Sequence, residues 1–245
     1  MENKFKMSVE QNIFVANKYV VDSVWRGATF EGINVTYPET EQILNDIEVS
    51  ERKPSEITTI INLNKAWQFV TEQAEYGYFD INIAFISQIN KIVNNNLTYD
   101  AGEIRNYNVR IGGTEWKPDI PKRYDIEENI NKINQIESVT ERAITMMLYL
   151  MRTQVFSDGN KRTSMFIANY ILISNGAGIL IAPNNSEEQN NFSKLIVEYY
   201  ETNNMDKIKK YVYNNLIDGI NFPLKNDEEF EDETQDYDNS PSIKM

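Results

Sequence analysis

The segment from Gln154 to Thr163 carries the residues best suited to chemistry. Gly159 permits a turn whose successive N–H groups form an anion-binding nest. The helix predicted to follow directs its N-terminal N–H groups to the same place. Lys161 and Arg162 add positive charge, and Asp158 can hold Mg²⁺ against phosphate oxygens. The segment predicts a phosphate-binding site, and a plain helix connection with surface charges is the alternative for the same residues.

The composition removes several classes of mechanism. The 245 residues contain neither histidine nor cysteine. The usual general base, the usual zinc ligands and every Ser/His or Cys/His nucleophile are therefore excluded. The absence of cysteine also excludes disulfides and suits a reducing compartment.

Net charge argues against a nucleic-acid partner. The chain carries −13 overall; residues 226–245 hold eight acids against one lysine, or −7, which leaves −6 for the remainder. Neither part has the excess of Lys and Arg that neutralises phosphate backbones. Residues 226–245 are predicted to be a disordered acidic tail, with a functional acidic arm as the less favoured alternative.

Hydropathy predicts a protein without a membrane partner. The apolar stretches are too short to cross a bilayer, and no basic start followed by an apolar run resembles a secretory signal. A cytoplasmic location is the expectation.

Helical periodicity dominates the rest of the chain. Ser8 begins a capping box, and a single helix is predicted from there through Val24, followed by a loop over 27–40. Asp80 and Thr140 are predicted N-caps, and the helix after Thr140 is apolar enough to be central to the core. Further helices are predicted to begin at Ser55 or Thr58 and to occupy 125–136, 162–175, 187–202 and 205–217.

Strand signals are nearly confined to residues 102–116, where a small β-hairpin flap is expected. The predicted class is therefore mainly α with one β flap. Three regions are expected: an N-terminal helical segment (1–50), a core domain (51–225) with the flap and the loop 154–163, and the tail (226–245).

The loop 154–163 resembles the active-site motif of the Fic (Fido) family, HxFx(D/E)GN(G/K)Rxx(R). Residues 28–36 resemble the family's inhibitory-helix motif, (S/T)xxxE(G/N), and the threonine that follows it. Residues 101–105 and 109–118 resemble its flap and the stretch that leads from it. Because these features occur in the family's order and cover most of the body, the chain is identified as similar to Fic proteins.

This resemblance implies AMP transfer from ATP to a protein hydroxyl, with Mg²⁺ as cofactor. The implied catalytic residues are Gln154 at the histidine position, Asp158, Asn160 and Arg162, with Asp158 as the Mg²⁺ ligand. The implied nucleotide-binding residues are Phe156, Asp158, Gly159, Asn160, Lys161 and Arg162. Flap residues Ile104, Arg110, Ile111, Gly112, Gly113 and Thr114 would hold the target segment, and Glu31 is the inhibitory candidate.

Three positions depart from the family pattern. Gln154 replaces the histidine that takes the proton from the target hydroxyl, and a neutral amide cannot act as a base. Met165 stands where many members have a second arginine, which grips the γ-phosphate. Gly27 replaces the Ser or Thr of the inhibitory motif, so Glu31 is expected either to pair with Arg162 or simply to cap a helix.

Two functions follow from this pattern. One is a protein adenylyltransferase, slowed by Gln154 and Met165. The alternative is a nucleotide-binding pseudoenzyme that acts through protein interactions. Both have a nucleotide and an unidentified target protein as partners, and a homo-oligomer is an open alternative because members of the family self-associate through helical faces.

Overall fold

The fold was examined in a computed structural model, which describes residues 1–49 and 52–221. These residues form ten helices and one small sheet, which confirms the mainly α class. The helices are α1 (Val9–Lys18), α2 (Val20–Phe30), α3 (Tyr37–Leu44), α4 (Pro54–Glu75), α5 (Ile83–Val93), α6 (Arg123–Asn134), α7 (Val139–Thr153), α8 (Asn160–Ile173), α9 (Ser186–Thr202) and α10 (Asp206–Asn215).

The centre of the core is the pair α7 and α8. Every residue of α8 is buried except Lys161 and Met165, because α7, α4, α5 and α1 surround it. From Phe166 to Ile173 every residue of this enclosed helix except Asn169 is apolar or aromatic, whereas its first turn buries polar residues. The loop 154–159 that joins the two helices is therefore anchored at both ends in the most buried part of the molecule.

The N-terminal region differs from the prediction. The single helix expected through Val24 is broken at Tyr19, whose N–H is shared between two carbonyls, as at a tightened helix end. α2 then continues through Gly27 to Phe30, where a loop was expected. α2 packs against α4 here, so closely that a Cβ on Gly27 would lie 3.5 Å from Cδ1 of Leu63. Gly27 is thus helical despite a helix propensity cost of about 1 kcal/mol. α3 also lies within the expected loop, because Thr36 forms a capping box with Glu39.

Two predicted N-caps are also wrong. Asn82 caps α5 instead of Asp80, and Ser138 caps α7 instead of Thr140. In both cases the capping side chain accepts a hydrogen bond from the N–H three residues later, as capping requires. The remaining predicted helices agree with the structure to within a few residues at their ends.

The predicted hairpin at 102–116 contains no paired strands. The sheet lies elsewhere, where β1 (Ile179–Leu180) pairs antiparallel with β2 (Ile217–Asp218). Residues 102–116 are instead fixed by side-chain contacts to the motif loop and to α9, so their shape does not depend on a strand partner.

Among the described residues, no helix has the length and apolar character needed to cross a bilayer. The predicted acidic tail, residues 226–245, lies outside the described residues. The boundaries of the three predicted regions stay predictions.

Candidate functional site

Two left-handed residues shape the motif loop. Gln154 ends α7 with φ 50°, and Gly159 precedes α8 with φ 70°. A Cβ atom on Gly159 would lie 2.5 Å from Nδ2 of Asn94, so the close approach of α5 also requires glycine there. The sequence thus forces a tight return of the chain at the start of α8.

Asn160 braces this loop from within. Its Oδ1 accepts a hydrogen bond from the Phe156 N–H (2.9 Å), and its Nδ2 donates to the Phe156 carbonyl (2.8 Å). The same Nδ2 donates to Oε1 of Gln154 over 3.1 Å. Phe156 itself is buried in the core. All of these hydrogen bonds of the Asn160 amide therefore stabilise the conformation of the loop.

Gln154 occupies the position where the family pattern has histidine. Its Nε2 donates to the carbonyl of Met151 (2.6 Å), which is one of the carbonyls left free at the end of α7. Its Oε1 accepts the bond from Asn160. Both ends of the amide are thus engaged within the chain, and the side chain closes the helix instead of offering a base.

A charged cluster lies at the start of α8. Arg162 is almost fully buried: its Nη1 donates to the Val93 carbonyl (3.2 Å) and its Nη2 to Oδ2 of Asp158 (3.0 Å). Glu31, the residue that ends α2, lies 3.1 Å from Nζ of Lys161 and 3.2 Å from Nε of Arg162. These last two contacts are ion pairs by distance without hydrogen-bond geometry. Glu31 therefore both ends the helix and neutralises two cations.

Glu31, Asp158 and Lys161 line a cleft of about 380 Å³. The motif loop, the stretch 109–112, the end of α2 and one face of α9 all contribute to its lining. The predicted site residues that line it are Glu31, Arg110, Ile111, Gly112, Gln154, Asp158, Gly159, Asn160 and Lys161.

Other predicted site residues lie beside the cleft. Phe156 and Arg162 are buried behind the loop, and Ile104 packs against the hydrophobic core. Thr114 donates from Oγ1 to Oε1 of Glu201 (2.8 Å) and so ties the flap to α9. Gly113 has a positive φ and open space around it.

The sequence did not single out Asp100. Its two carboxylate oxygens accept hydrogen bonds from Oγ of Ser157 (2.6 Å) and the hydroxyl of Tyr107 (2.8 Å). These bonds, that from Ser157 above all, hold the pKa of Asp100 below its usual range. No spacing signal connects residues so far apart in the chain.

Arg105 is a second residue whose role the sequence left unassigned. It is buried, and its guanidinium donates to the carbonyls of Gln154 (2.6 Å), Tyr107 (2.7 Å) and Asp119 (2.6 Å). Its own N–H donates to the Val155 carbonyl (3.0 Å). Arg105 and Asp100 therefore fasten the flap segment to the motif loop.

Tyr200, on α9, also lines the cleft. Its ring packs against Trp116 at 5.4 Å between centroids. Burial raises the pKa of the Tyr200 phenol well above its usual range, so the hydroxyl stays protonated and remains a hydrogen-bond donor.

Asp158 is the residue that suits a metal ion. Its side chain is 56% exposed, the residue lines the cleft, and among the described residues its carboxylate pairs only with Arg162. Residues 1–49 and 52–221 contain no cluster of three or more acidic side chains that could hold a metal unaided. A single carboxylate nevertheless fits Mg²⁺, which takes most of its ligands from phosphate and water when it binds with a nucleotide.

Comparison with known protein families agrees with this architecture. The model of the Fic/DOC family matches residues 80–172, which contain the flap, α7, the motif loop and most of α8. Residues 80–172 are thus a Fic/DOC domain, and the resemblance inferred from the motif is confirmed. No curated protein sequence matches the chain.

Solved structures share the fold. Fic-1 from C. elegans aligns with a TM-score of 0.65 and 20% identity, over 79% of this chain and 59% of that one. A Fic domain containing signaling protein from Bacteroides thetaiotaomicron aligns with 0.66 and 16% identity, over 80% and 81%. A Fic family protein from Desulfovibrio desulfuricans aligns with 0.62 and 11% identity, over 84% and 66%. The chain thus spans about three fifths of the part of Fic-1 with which it aligns, residues 134–508.

Proposed function

We propose that the cleft binds the phosphates of a Mg²⁺-nucleotide, with ATP as the nucleotide, and that the flap holds a segment of a target protein. The observation that carries this proposal is that the motif loop and the stretch 109–112 line one cleft. A site for phosphate and a site for a second substrate therefore meet across it.

The start of α8 supports phosphate binding. The first backbone bond of α8 runs from the Thr163 N–H to the Gly159 carbonyl (2.8 Å), so the N–H groups of the preceding turn are left for a ligand. Lys161 adds a full charge at the wall of the cleft. Asp158 would hold Mg²⁺, which would offset the negative charge of the phosphates.

The exposed flap supports binding of a protein segment. Within residues 1–49 and 52–221 the stretch 109–112 pairs with no strand, and Arg110 and Gly112 are exposed. An extended peptide can add to such a backbone through main-chain hydrogen bonds, which position a hydroxyl without demanding a particular sequence.

The first candidate function is nucleotidyl transfer to a protein hydroxyl. The hydroxyl oxygen would form a bond to the α-phosphorus of ATP while the bond to pyrophosphate breaks, and the hydroxyl proton would leave to solvent or to a phosphate oxygen. Because Gln154 cannot accept that proton, the transfer is expected to be about 10²–10⁴-fold slower than with a positioned base. Positioning and charge stabilisation supply the remaining catalysis.

The second candidate is nucleotide binding without transfer. It is favoured by the contacts of Gln154, whose amide is engaged by Met151 and Asn160. In that case the nucleotide would order the cleft and the flap, and the protein would act through its partner.

Intact-mass spectrometry after incubation with Mg²⁺ and ATP separates the two candidates. The wild-type chain and Gln154→His are compared in the presence of cell lysate as a source of targets. Adenylyl adducts formed by the wild type establish transfer, and adducts formed by Gln154→His alone establish a binding protein whose chemistry is switched off. If neither chain forms an adduct and neither binds ATP in a calorimetric titration, the proposed function is wrong.

A further inference from the structure

Asn90 of α5 contacts three separate segments of the site from behind. Its side chain is fully buried. Nδ2 donates to the Asp158 carbonyl (3.0 Å) and to Oγ1 of Thr163 (3.0 Å), and Oδ1 accepts from the Gly102 N–H (2.8 Å). One amide therefore connects the motif loop, the first turn of α8 and the start of the flap segment.

The Asp158 carbonyl is held doubly. Nδ2 of Asn94 donates to the same oxygen over 2.9 Å, and Asn94 also packs against Gly159. Two buried amides thus fix the orientation of the peptide that joins Asp158 to Gly159. The Asp158 carboxylate, by contrast, lies on the exposed side of the loop, in the cleft.

The start of the flap segment is also closely packed against its neighbours. Gly102 has φ 82°, and a Cβ there would lie 2.8 Å from the Ser87 carbonyl oxygen and 3.2 Å from Lys91 Cβ. The start of the segment is therefore pressed onto α5. Because Asn90 bonds to both Gly102 and Asp158, the motif loop and the start of the segment that leads to 109–112 share one fixed point.

We propose that Asn90 is a positioning residue that sets the Asp158 peptide and the start of the flap segment relative to each other. Asn90 does not line the cleft, so it acts through these neighbours and touches no ligand. The consequence for phosphate binding rests on the proposed function, whereas the mechanical connection is a property of the chain alone.

Hydrogen exchange of the ligand-free chain tests the connection. Asn90→Ala is expected to speed exchange of the amides in 155–163 and of Gly102. The matched control is Asn12→Ala, because Asn12 is equally buried and bridges the N–H and carbonyl of Gly178 far from the cleft. The control should leave both segments unchanged. Equal exchange in both segments for Asn90→Ala and wild type overturns the proposal.

Asn90→Asp provides a second variant if the alanine chain does not fold. Aspartate retains an oxygen for the Gly102 N–H and loses the donor to Asp158. Exchange is then expected to rise at 158–163 while Gly102 stays protected. A rise of the same size in both segments contradicts the assignment of the two bonds.

Calorimetric titration with ATP and Mg²⁺ tests the functional consequence. Asn90 orients the backbone of Asp158, the proposed Mg²⁺ ligand, and loss of such an outer contact typically weakens metal binding about 10- to 100-fold. A loss of this size is expected for Asn90→Ala relative to Asn12→Ala. Equal affinity of the two variants overturns the positioning role. If the wild-type chain itself gives no binding heat, the proposed function fails. The exchange experiment still decides whether Asn90 connects the motif loop to the start of the flap segment.

Discussion

Asn160 donates a hydrogen bond from Nδ2 to Oε1 of Gln154 over 3.1 Å, inside the loop that joins α7 to α8. Gln154 in turn donates to the carbonyl of Met151. Gln154, which stands where the family motif has histidine, is thus part of the hydrogen-bond network that holds its own loop. The hydrogen bonds that shape the proposed phosphate site are therefore present without a base at position 154.

Glu31 is expected to compete with phosphate. Its carboxylate lies about equally close to the cationic groups of Lys161 and Arg162, in a partly buried place where charge pairing is stronger than on the surface. Glu31→Gln removes this competition and keeps the side-chain size. The affinity for Mg²⁺-ATP is expected to rise about tenfold, or about 1.4 kcal/mol, in a calorimetric titration.

Glu39→Gln is the matched control for that measurement. Glu39 also forms an ion pair, with Arg52 at 2.8 Å, but lies outside the cleft. Its replacement should leave the affinity unchanged. Unchanged or weaker binding by Glu31→Gln would show that Glu31 does not compete with the nucleotide.

Gly159→Ala is expected to destabilise the fold more than Gly113→Ala. Both glycines have a positive φ, at 70° and 81°, so both substitutions add backbone strain of about 1–2 kcal/mol. Only at Gly159 does the added Cβ meet a neighbour, the buried side chain of Asn94. Urea unfolding measures both, and an equal loss at the two sites would mean that Asn94 moves aside freely.

Asp100 is expected to contribute an acid-sensitive part of the stability. Its pKa is lowered in the folded state, so the contribution is present above the unfolded pKa of about 3.9 and is lost as the pH falls through the lower folded pKa. Asp100→Asn replaces charge-assisted hydrogen bonds to Ser157 and Tyr107 by neutral ones. The free energy of unfolding at about pH 7 is expected to fall by about 1–2 kcal/mol.

The same variant should show a weaker decline in stability below about pH 4, because the titrating group is gone. Urea unfolding of wild type and variant across that range measures the difference. Parallel pH profiles for the two chains would show that Asp100 does not titrate differently on folding.

The sequence predicted those parts of the molecule that depend on local signals. The mainly α class followed from helical periodicity, and the Fic/DOC domain followed from the motif loop, whose glycine and charged residues are adjacent in the chain. The continuation of α2 through Gly27 was missed, because it depends on packing against Leu63 on another helix.

The residues that hold the site in place could not be predicted from the sequence either. Asn90, Asp100 and Arg105 hold the loop through contacts with residues about 50 to 70 positions away, and an isolated polar residue has no pattern that announces a buried partner. The flap was predicted as a hairpin because its residues alternate as in strands. Its shape instead comes from the side-chain contacts of Arg105 and Thr114.

The central claim is that the motif loop binds the phosphates of a Mg²⁺-nucleotide, and a calorimetric titration of the full chain with ATP in the presence of Mg²⁺ tests it most directly. Three chains are compared: wild type, Asp158→Asn, and Asp206→Asn as a control at an acid that begins α10 outside the cleft. Wild type and control are expected to bind saturably, and Asp158→Asn is expected to bind with an affinity lower by about tenfold or more. Absence of binding by the wild type, or equal affinity of all three chains, would contradict it.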